Sequence, residues 1–237
     1  MQKILIIVPV NNTQFNQTIK RAVQPVIPPD FSVDILNINE GSDCIESRYD
    51  LVRNAPHVVN LATQAEQEGY SGLFITDMDM CGVEAVREVV NIPTIGGFRA
   101  SAYTAMMLAN KFSIITVMDS VVALQEQHIK EFGLVHNFAS IRNVNVPVKH
   151  LGNEEIIFNK VLDAGRLAII NDGAQAIIFG CTGFVNMATR VSKALEDEGI
   201  RIPVIDPNCA AISYLVLLIR NQLLQSRKVY QRPINFT

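Results

Sequence analysis

The sequence carries no excess of basic residues: 20 Lys plus Arg stand against 23 Asp plus Glu in 237 residues, a formal charge of -3. That leaves it without the positive field that nucleic acid or an anionic lipid surface would need in a partner. It also lacks an apolar run of the ~18 residues a membrane helix requires, and its first residues enter a strand-like segment without a basic stretch or a small-residue cleavage site. A cytoplasmic protein whose partners include neither nucleic acid nor membrane is expected. The four cysteines, Cys44, Cys81, Cys181 and Cys209, form no CxxC pair and no cluster with histidine at zinc-ligand spacing, so neither a disulfide scaffold nor a metal is indicated. After the first strand-like run stands Val10-Asn11-Asn12-Thr13 rather than a Walker-type or G-x-G-x-x-G loop, which argues against nucleotide binding. The histidines, His57, His128, His136 and His150, fall away from the ends of the strand-like runs. A His-Cys hydrolase pair therefore has no support, and surface positions are expected for all four.

What the chain does have is apolar mass, 49% hydrophobic against 18% charged, enough for a sizeable core. Short apolar, β-branched runs cover Lys3 to Pro9, Phe31 to Ile38, Gly72 to Thr76, Thr94 to Ile95, Lys111 to Val117, Ile141 to Val146, Ala176 to Phe179 and Val204 to Ile205. Between them, helical spacing of apolar residues covers Gln14 to Val23, Ala55 to Glu68, Gly82 to Val89, Arg99 to Ala109, Ser120 to Phe132, Asn153 to Asn171, Val185 to Glu198 and Asn208 to Leu224. Strands apolar along their whole length suit parallel sheets covered on both faces.

The chain also repeats itself. Lys3-Ile4-Leu5-Ile6-Ile7 matches Lys111-Phe112-Ser113-Ile114-Ile115, and Ile92-Pro93-Thr94-Ile95 matches Ile202-Pro203-Val204-Ile205. Between these anchors, one strand ends at Asp77 before a helix led by Gly82, and another ends at Gly180-Cys181-Thr182-Gly183 before a helix. Strings such as I-P-x-I arise by chance in α/β proteins, but three anchors in the same order favour a true duplication. Asp77 and Cys181 become pseudo-equivalent, and two similar α/β units would face their strand C-termini across a cleft.

A thiol at such a strand end, followed by a helix, lies near backbone N–H groups and the positive end of a helix dipole. The flanking Gly180, Thr182 and Gly183 allow backbone to approach a carboxylate, an enolate or a carbonyl oxygen. The bland alternative for Cys181 is a small buried hydrophobe. Asp77 on the opposite wall is the natural second acid or base, and its alternative is a turn or helix-capping aspartate, a role for which Asp79 competes. Cys81 and Cys209 are expected to pack at helix starts.

The run Ile178-Phe179-Gly180-Cys181-Thr182-Gly183-Phe184, with Gly82 to Pro93 and Ile202 to Asp206, resembles the hydantoin and allantoin racemase branch of the aspartate/glutamate racemase superfamily. Ile45-Glu46-Ser47-Arg48-Tyr49-Asp50, Phe112 to Thr116 and Asn12-Thr13 are similar to it as well, so the resemblance spans nearly the whole chain. It implies a cofactor-independent enzyme in which two cysteines move a proton on opposite faces of a carbon, and homo-oligomers are common in the family. The second of those cysteines falls on Cys181, whereas the first falls on Asp77. Met80-Cys81 stands where an Asp-Pro is usual, Arg99 where a glutamate is usual, and Val10 where an asparagine is usual. An unperturbed carboxylate (pKa ~3.9) is a much weaker base than a thiolate (~8.5), so burial would have to raise Asp77, or Asp77 would serve as an acid or anchor.

The expectation is an α/β protein of two pseudo-symmetric Rossmann-like domains, residues 1–98 plus 207–237 and residues 99–206, with the active site between them. The resemblance implies a cofactor-independent racemase or epimerase of the hydantoin racemase type, acting on a small cyclic ureide or amino-acid-derived substrate. Asp77 and Cys181 would be catalytic, and Asn12, Thr13, Met78, Asp79, Arg99, Thr116, Thr182 and Gly183 would touch substrate, Arg99 selecting an anionic group. The alternatives are a lyase, decarboxylase-like, with Cys181 as sole proton donor, and a non-catalytic metabolite sensor. Metal and cofactor are expected to be absent, and the partners to be a small molecule and further copies of the chain.

Overall fold

A computed structural model describes residues 1–234. Strands β1 (Gln2–Val8), β2 (Phe31–Asn37), β3 (Gly72–Ile75) and β4 (Thr94–Gly96) form one parallel sheet in the order β2-β1-β3-β4. Strands β5 (Phe112–Thr116), β6 (Phe138–Asn143), β7 (Ala176–Phe179) and β8 (Val204–Ile205) form a second, in the matching order β6-β5-β7-β8. The central strands are buried on both faces, as their unbroken apolar runs require, and Phe74, Phe112 and Phe179 are fully enclosed. Each such side chain contributes roughly 1.5–3 kcal/mol through burial.

Helices α1 (Asn16–Val23), α2 (Arg48–Gln67) and α3 (Val83–Val89) serve the first sheet, and α5 (Val122–Glu131), α6 (Glu154–Asp172) and α7 (Met187–Asp197) the second. Helix α4 (Gly97–Leu108) joins the halves, packing against α8 (Pro207–Arg220) and β7, while α8 returns to the first half and packs on α1, β3 and β4. Of the residues 207–237 expected to complete the first unit, 235–237 lie outside the described residues.

Three elements differ from expectation. Helix α2 starts at Arg48, not Ala55, because Ser47 caps it and Asp50 Oδ2 accepts from the Ser47 hydroxyl (2.6 Å) and the Glu46 N–H (3.2 Å). Pro56 lies inside the helix, and Val52, whose carbonyl loses its donor there, is exposed to water. Strand β6 ends at Asn143, three residues earlier than its apolar run, although Val144 and Val146 still donate to the carbonyls of Thr116 and Val117. Helix α8 stops at Arg220, and Gln222 takes a φ of +53° as the chain turns away. No helix among the described residues is long and apolar enough to cross a membrane.

Candidate active site

The two sheets place Asp77 and Cys181 by the same main-chain construction. Thr76 N–H donates to the Ile7 carbonyl at 3.0 Å, and Gly180 N–H donates to the Ile115 carbonyl at 2.7 Å, so the next residue in each half is the first to leave the strand. Gly82 (φ +70°) and Asn186 (φ +60°) then stand equally far beyond Asp77 and Cys181, each a left-handed residue that caps the following helix. Gly180 tolerates no side chain, since a Cβ there would lie 2.5 Å from Gln125 Oε1 and 2.7 Å from Thr116. Its absence lets the Cys181 peptide press against β5.

Both residues line one partly open cavity of about 70 Å³ between the halves. Thr76, Thr182, Gly183 and Asp43 supply its other polar surface, and Val8, Phe15, Ile45 and Val148 its apolar walls. No lysine, arginine or histidine lines it among the described residues. A buried clamp closes the cavity floor. Asn208, wholly buried, accepts from the Thr76 hydroxyl at 2.9 Å and donates to the Thr182 carbonyl at 2.9 Å, while the Thr182 hydroxyl donates to the Thr76 carbonyl at 3.0 Å. The halves are also tied by Val148 N–H donating to Glu46 Oε1 at 2.7 Å.

Electrostatics separate the two candidates. Burial raises the Asp77 carboxyl above its ordinary range, opposed by hydrogen bonds from the backbone N–H groups of Cys81, Asp79 and Met78 and by the charge of His128. The Cys81 N–H to Asp77 Oδ2 distance is 2.8 Å. Burial pushes the Cys181 thiol up to about 12, helped by the charges of Asp77, Asp79 and Glu46 and opposed by one N–H, that of Gly183 at 3.3 Å. At neutral pH Cys181 is therefore a thiol rather than a thiolate.

The other expected site residues divide. Thr182 and Gly183 line the cavity. Thr116, fully buried, points its hydroxyl at the Gly180 carbonyl (3.4 Å) and so supports the Cys181 loop from behind. Asn12 and Thr13 shape the loop before α1: Asn12 Oδ1 accepts from Gln14 N–H at 2.8 Å, and the Thr13 carbonyl accepts from Asn16 N–H. Met78 is packed in the core of the first half. Asp79 is buried behind the cavity, next to Gln125. Arg99 lines a different pocket, of about 530 Å³, with Arg87, Tyr103 and Tyr230, which shares no residue with the cavity.

Cys81 and Cys209 occupy helix starts as expected, Cys81 buried and Cys209 with its Sγ 3.3 Å from the Ala22 carbonyl. His128 departs from the expected surface position. Its ring lies against Phe98 and stacks on Phe132, close enough for its charge to act on Asp77. Asn208 and Gln125 were not singled out from sequence. Asn208 follows Asp206, whose carboxylate caps α8 by accepting from the N–H groups of Asn208 and Cys209, and that cap was the one signal pointing to a helix start there. No cluster of three or more side chains able to hold a metal occurs among the described residues.

The model of the Asp/Glu/Hydantoin racemase family matches residues 4–215, across both sheets and both strand ends. The chain belongs to the Asp/Glu/Hydantoin racemase family. Within that family it is 27% identical over 233 residues to a hydantoin racemase of Pseudomonas sp. (strain NS671), covering 98% of this chain and 92% of the relative. A hydantoin racemase of Paenarthrobacter aurescens is 27% identical over 234 residues, covering 98% and 97%. Among solved structures, the allantoin racemase from Klebsiella pneumoniae superposes with a TM-score of 0.93 at 25% identity, over 100% of this chain and 95% of that one. This family member is accordingly a racemase of the hydantoin racemase type. Arylmalonate decarboxylase, with a TM-score of 0.64 at 17% identity, shares the fold alone, which leaves the lyase alternative with the weaker support.

Proposed function

We propose that the enzyme racemises a small, neutral cyclic ureide, with Asp77 as the base on one face of the carbon and Cys181 as the acid on the other. The observation that carries this is the matched main-chain position of the two groups, one from each sheet, in the lining of one cavity. Asp77 as carboxylate takes the proton from carbon, and the C–H electron pair moves into the adjacent carbonyl to give an enolate. The pair then returns to carbon and takes the Cys181 proton from the opposite face, leaving Asp77 protonated and Cys181 as thiolate. Neutralising Asp77 removes one of the charges that hold the thiol up, so the two transfers assist each other. Solvent then carries the proton from Asp77 back to the Cys181 thiolate and restores the resting form; the other enantiomer reacts with the form in which Asp77 is protonated and Cys181 is a thiolate, by the same steps in reverse, and no cofactor takes part. Backbone N–H groups of the Thr182 and Gly183 loop would hold the enolate oxygen.

The lining speaks for the substrate class. Asp43 and Asp77 are its titratable carboxyls, with Arg99 in another pocket, so a substrate carboxylate would meet like charge with no cation to offset it. A ring presenting N–H donors and carbonyl acceptors, as hydantoins and allantoin do, meets no such penalty. This replaces the anionic selection that Arg99 would have supplied. Two units, residues 1–98 plus 207–237 and residues 99–206, carry the two walls, and a cytoplasmic homo-oligomer would cover exposed apolar residues such as Met107 and Leu108.

The test is incubation of one hydantoin or allantoin enantiomer with the enzyme in deuterated water. Loss of optical activity with deuterium at the same carbon is the expected result. Optical stability, or release of a fragment with one product enantiomer, overturns it.

A further inference from the structure

The larger cavity has the opposite electrostatics to the one between the strand ends. At about 530 Å³ it has room for a small organic molecule, and among the described residues no carboxylate lines it, whereas Arg87 and Arg99 do. Helix α4 supplies Arg99 and Tyr103, α8 supplies Tyr214 and Leu218, and the segment after α8 adds a wall that includes Val229 and Tyr230. That segment forms no helix or strand, so side chains hold it. Gln225 Nε2 donates to the carbonyls of Val90 and Ile92 at 2.8 and 3.0 Å, and Arg227 Nη1 donates to those of Arg87 and Glu88, both at 3.0 Å. The last two carbonyls belong to the final turn of α3, where no intrahelical donor remains.

Tyr230 brings the two cations together. Its hydroxyl accepts from Arg87 Nη1 at 3.1 Å and from Arg99 Nη1 at 3.4 Å. Arg87 is buried and already committed, to Glu84 at 2.8 Å and to the Thr94 carbonyl at 3.0 Å. Arg99 is not. Of its five N–H donors, one makes that long contact with Tyr230, and no carboxylate pairs with it among the described residues. Its guanidinium carbon lies 5.0 Å from the Phe132 ring centroid and 6.0 Å from that of Tyr103, contacts that hold the group without neutralising it. Two guanidiniums less the Glu84 carboxylate leave one positive charge at the pocket.

We propose that this pocket is a second binding site, for an organic monoanion whose carboxylate is received by Arg99 and whose body is apolar or aromatic. A carboxylate offers two oxygens to the guanidinium fork and balances the single free charge, which a phosphate dianion would exceed. Ile95, Ala100, Leu218, Leu224 and Val229 give the rest of the pocket a hydrocarbon lining, suited to a body of several carbons. The same anion would be repelled from the other cavity, whose carboxyls are Asp43 and Asp77. The site stands whether or not the racemisation mechanism above does.

Isothermal titration calorimetry of the native protein with phenylacetate, isovalerate, phenylacetamide and phenyl phosphate tests this. Both carboxylates bind, and the amide, of the same shape as phenylacetate without its charge, binds at least about tenfold more weakly, as loss of a charged hydrogen-bond partner implies. In Arg99→Gln, folded by circular dichroism, carboxylate affinity falls about tenfold or more; in Arg99→Lys, which keeps the charge and loses the fork, it falls about threefold. The proposal is overturned if neither carboxylate binds, if the amide binds as well as phenylacetate, or if phenyl phosphate binds more tightly than both carboxylates. Unchanged affinity in Arg99→Gln would put the ligand elsewhere, and equal losses in the Gln and Lys variants would make Arg99 a structural residue; either result also overturns it. If neither carboxylate binds and Arg99→Gln alters the oligomeric state in analytical ultracentrifugation, the occupant is a second copy of this chain and not a small anion.

Discussion

The two strand ends share a backbone and differ in how many donors they offer. At the first, Asp77 receives N–H groups from Met78, Asp79 and Cys81, in a loop tightened by Met80 at φ +62°. At the second, Cys181 receives one, from Gly183, and three carboxylates act against its ionisation. A nest of three donors suits a carboxylate at rest, and a single donor amid negative charge suits a neutral thiol. On the proposed assignment, a duplicated fold separates base from acid through loop hydrogen bonds rather than through the identity of the fold position.

The largest effect should come from removing either wall. Cys181→Ala and Asp77→Asn should each lower racemisation by roughly 10²–10⁴-fold, as loss of a general acid or base does. Deuterium exchange without inversion in Cys181→Ala would sharpen the comparison, because the base alone would still open the C–H bond. Asp77→Cys makes the two ends chemically alike. Native activity rises with pH as the Asp77 carboxyl ionises, at a pKa above its ordinary 3.8, and is lost only as pH climbs toward the thiol's value of about 12. With a thiol, ordinarily near ~8.5, in place of that carboxyl, the acidic limb must move to higher pH. A pH-rate profile that stays in place would break the assignment of Asp77 as base.

A middle effect tests the tie that keeps the ends facing one another. Asn208→Ala leaves the Thr76 hydroxyl and the Thr182 carbonyl without their buried partner and should destabilise the fold by about 2–3 kcal/mol in urea denaturation. Because the clamp sits beside both proposed catalytic positions, kcat should drop as well; unchanged kcat in the folded variant would show that the strand ends hold their spacing without it.

Asn208 also shows where sequence reading stops. The strands and the equivalence of Asp77 with Cys181 were legible because both follow from main-chain register, which local apolar runs and repeated anchors encode. Asn208 bonds residues 132 and 26 positions away, a relation no local pattern announces. The loop from Asp77 to Gly82 has no period either, so nothing in it told that Met78 turns to the core, Asp79 to Gln125 and only Asp77 to the cavity. Arg99 was drawn into the site by the family resemblance, in which a glutamate is usual at that position, whereas its guanidinium lies over the rings of Tyr103 and Phe132.

The smallest effect lies at the outer edges, where each sheet ties its last strand to the end of a helix. On β2, Asp34 accepts from the Tyr70 hydroxyl at 3.0 Å, just past α2; on β6, Arg142 donates twice to Asp172, the last residue of α6, at 2.7 and 2.8 Å, and Ser140 donates once at 2.6 Å. The charged, forked tie is the stronger, so Asp172→Asn should lower stability by about 1–2 kcal/mol and Tyr70→Phe by about 0.5–1 kcal/mol. Their pH dependences run in opposite senses. Hydrogen bonds from Arg142 hold the Asp172 carboxyl below its ordinary 3.8, so its contribution is present above that value and is lost as pH falls through the lower folded value. Burial and Asp34 push the Tyr70 hydroxyl from 10.0 up to about 12, so its contribution is complete below pH 10 and fades as pH rises toward 12. Urea titrations of the two variants at acidic, neutral and alkaline pH should therefore show the Asp172 deficit vanish only in acid and the Tyr70 deficit only in base. Deficits that disappear at the same end of the scale would mean that the two edges are held by something other than these bonds.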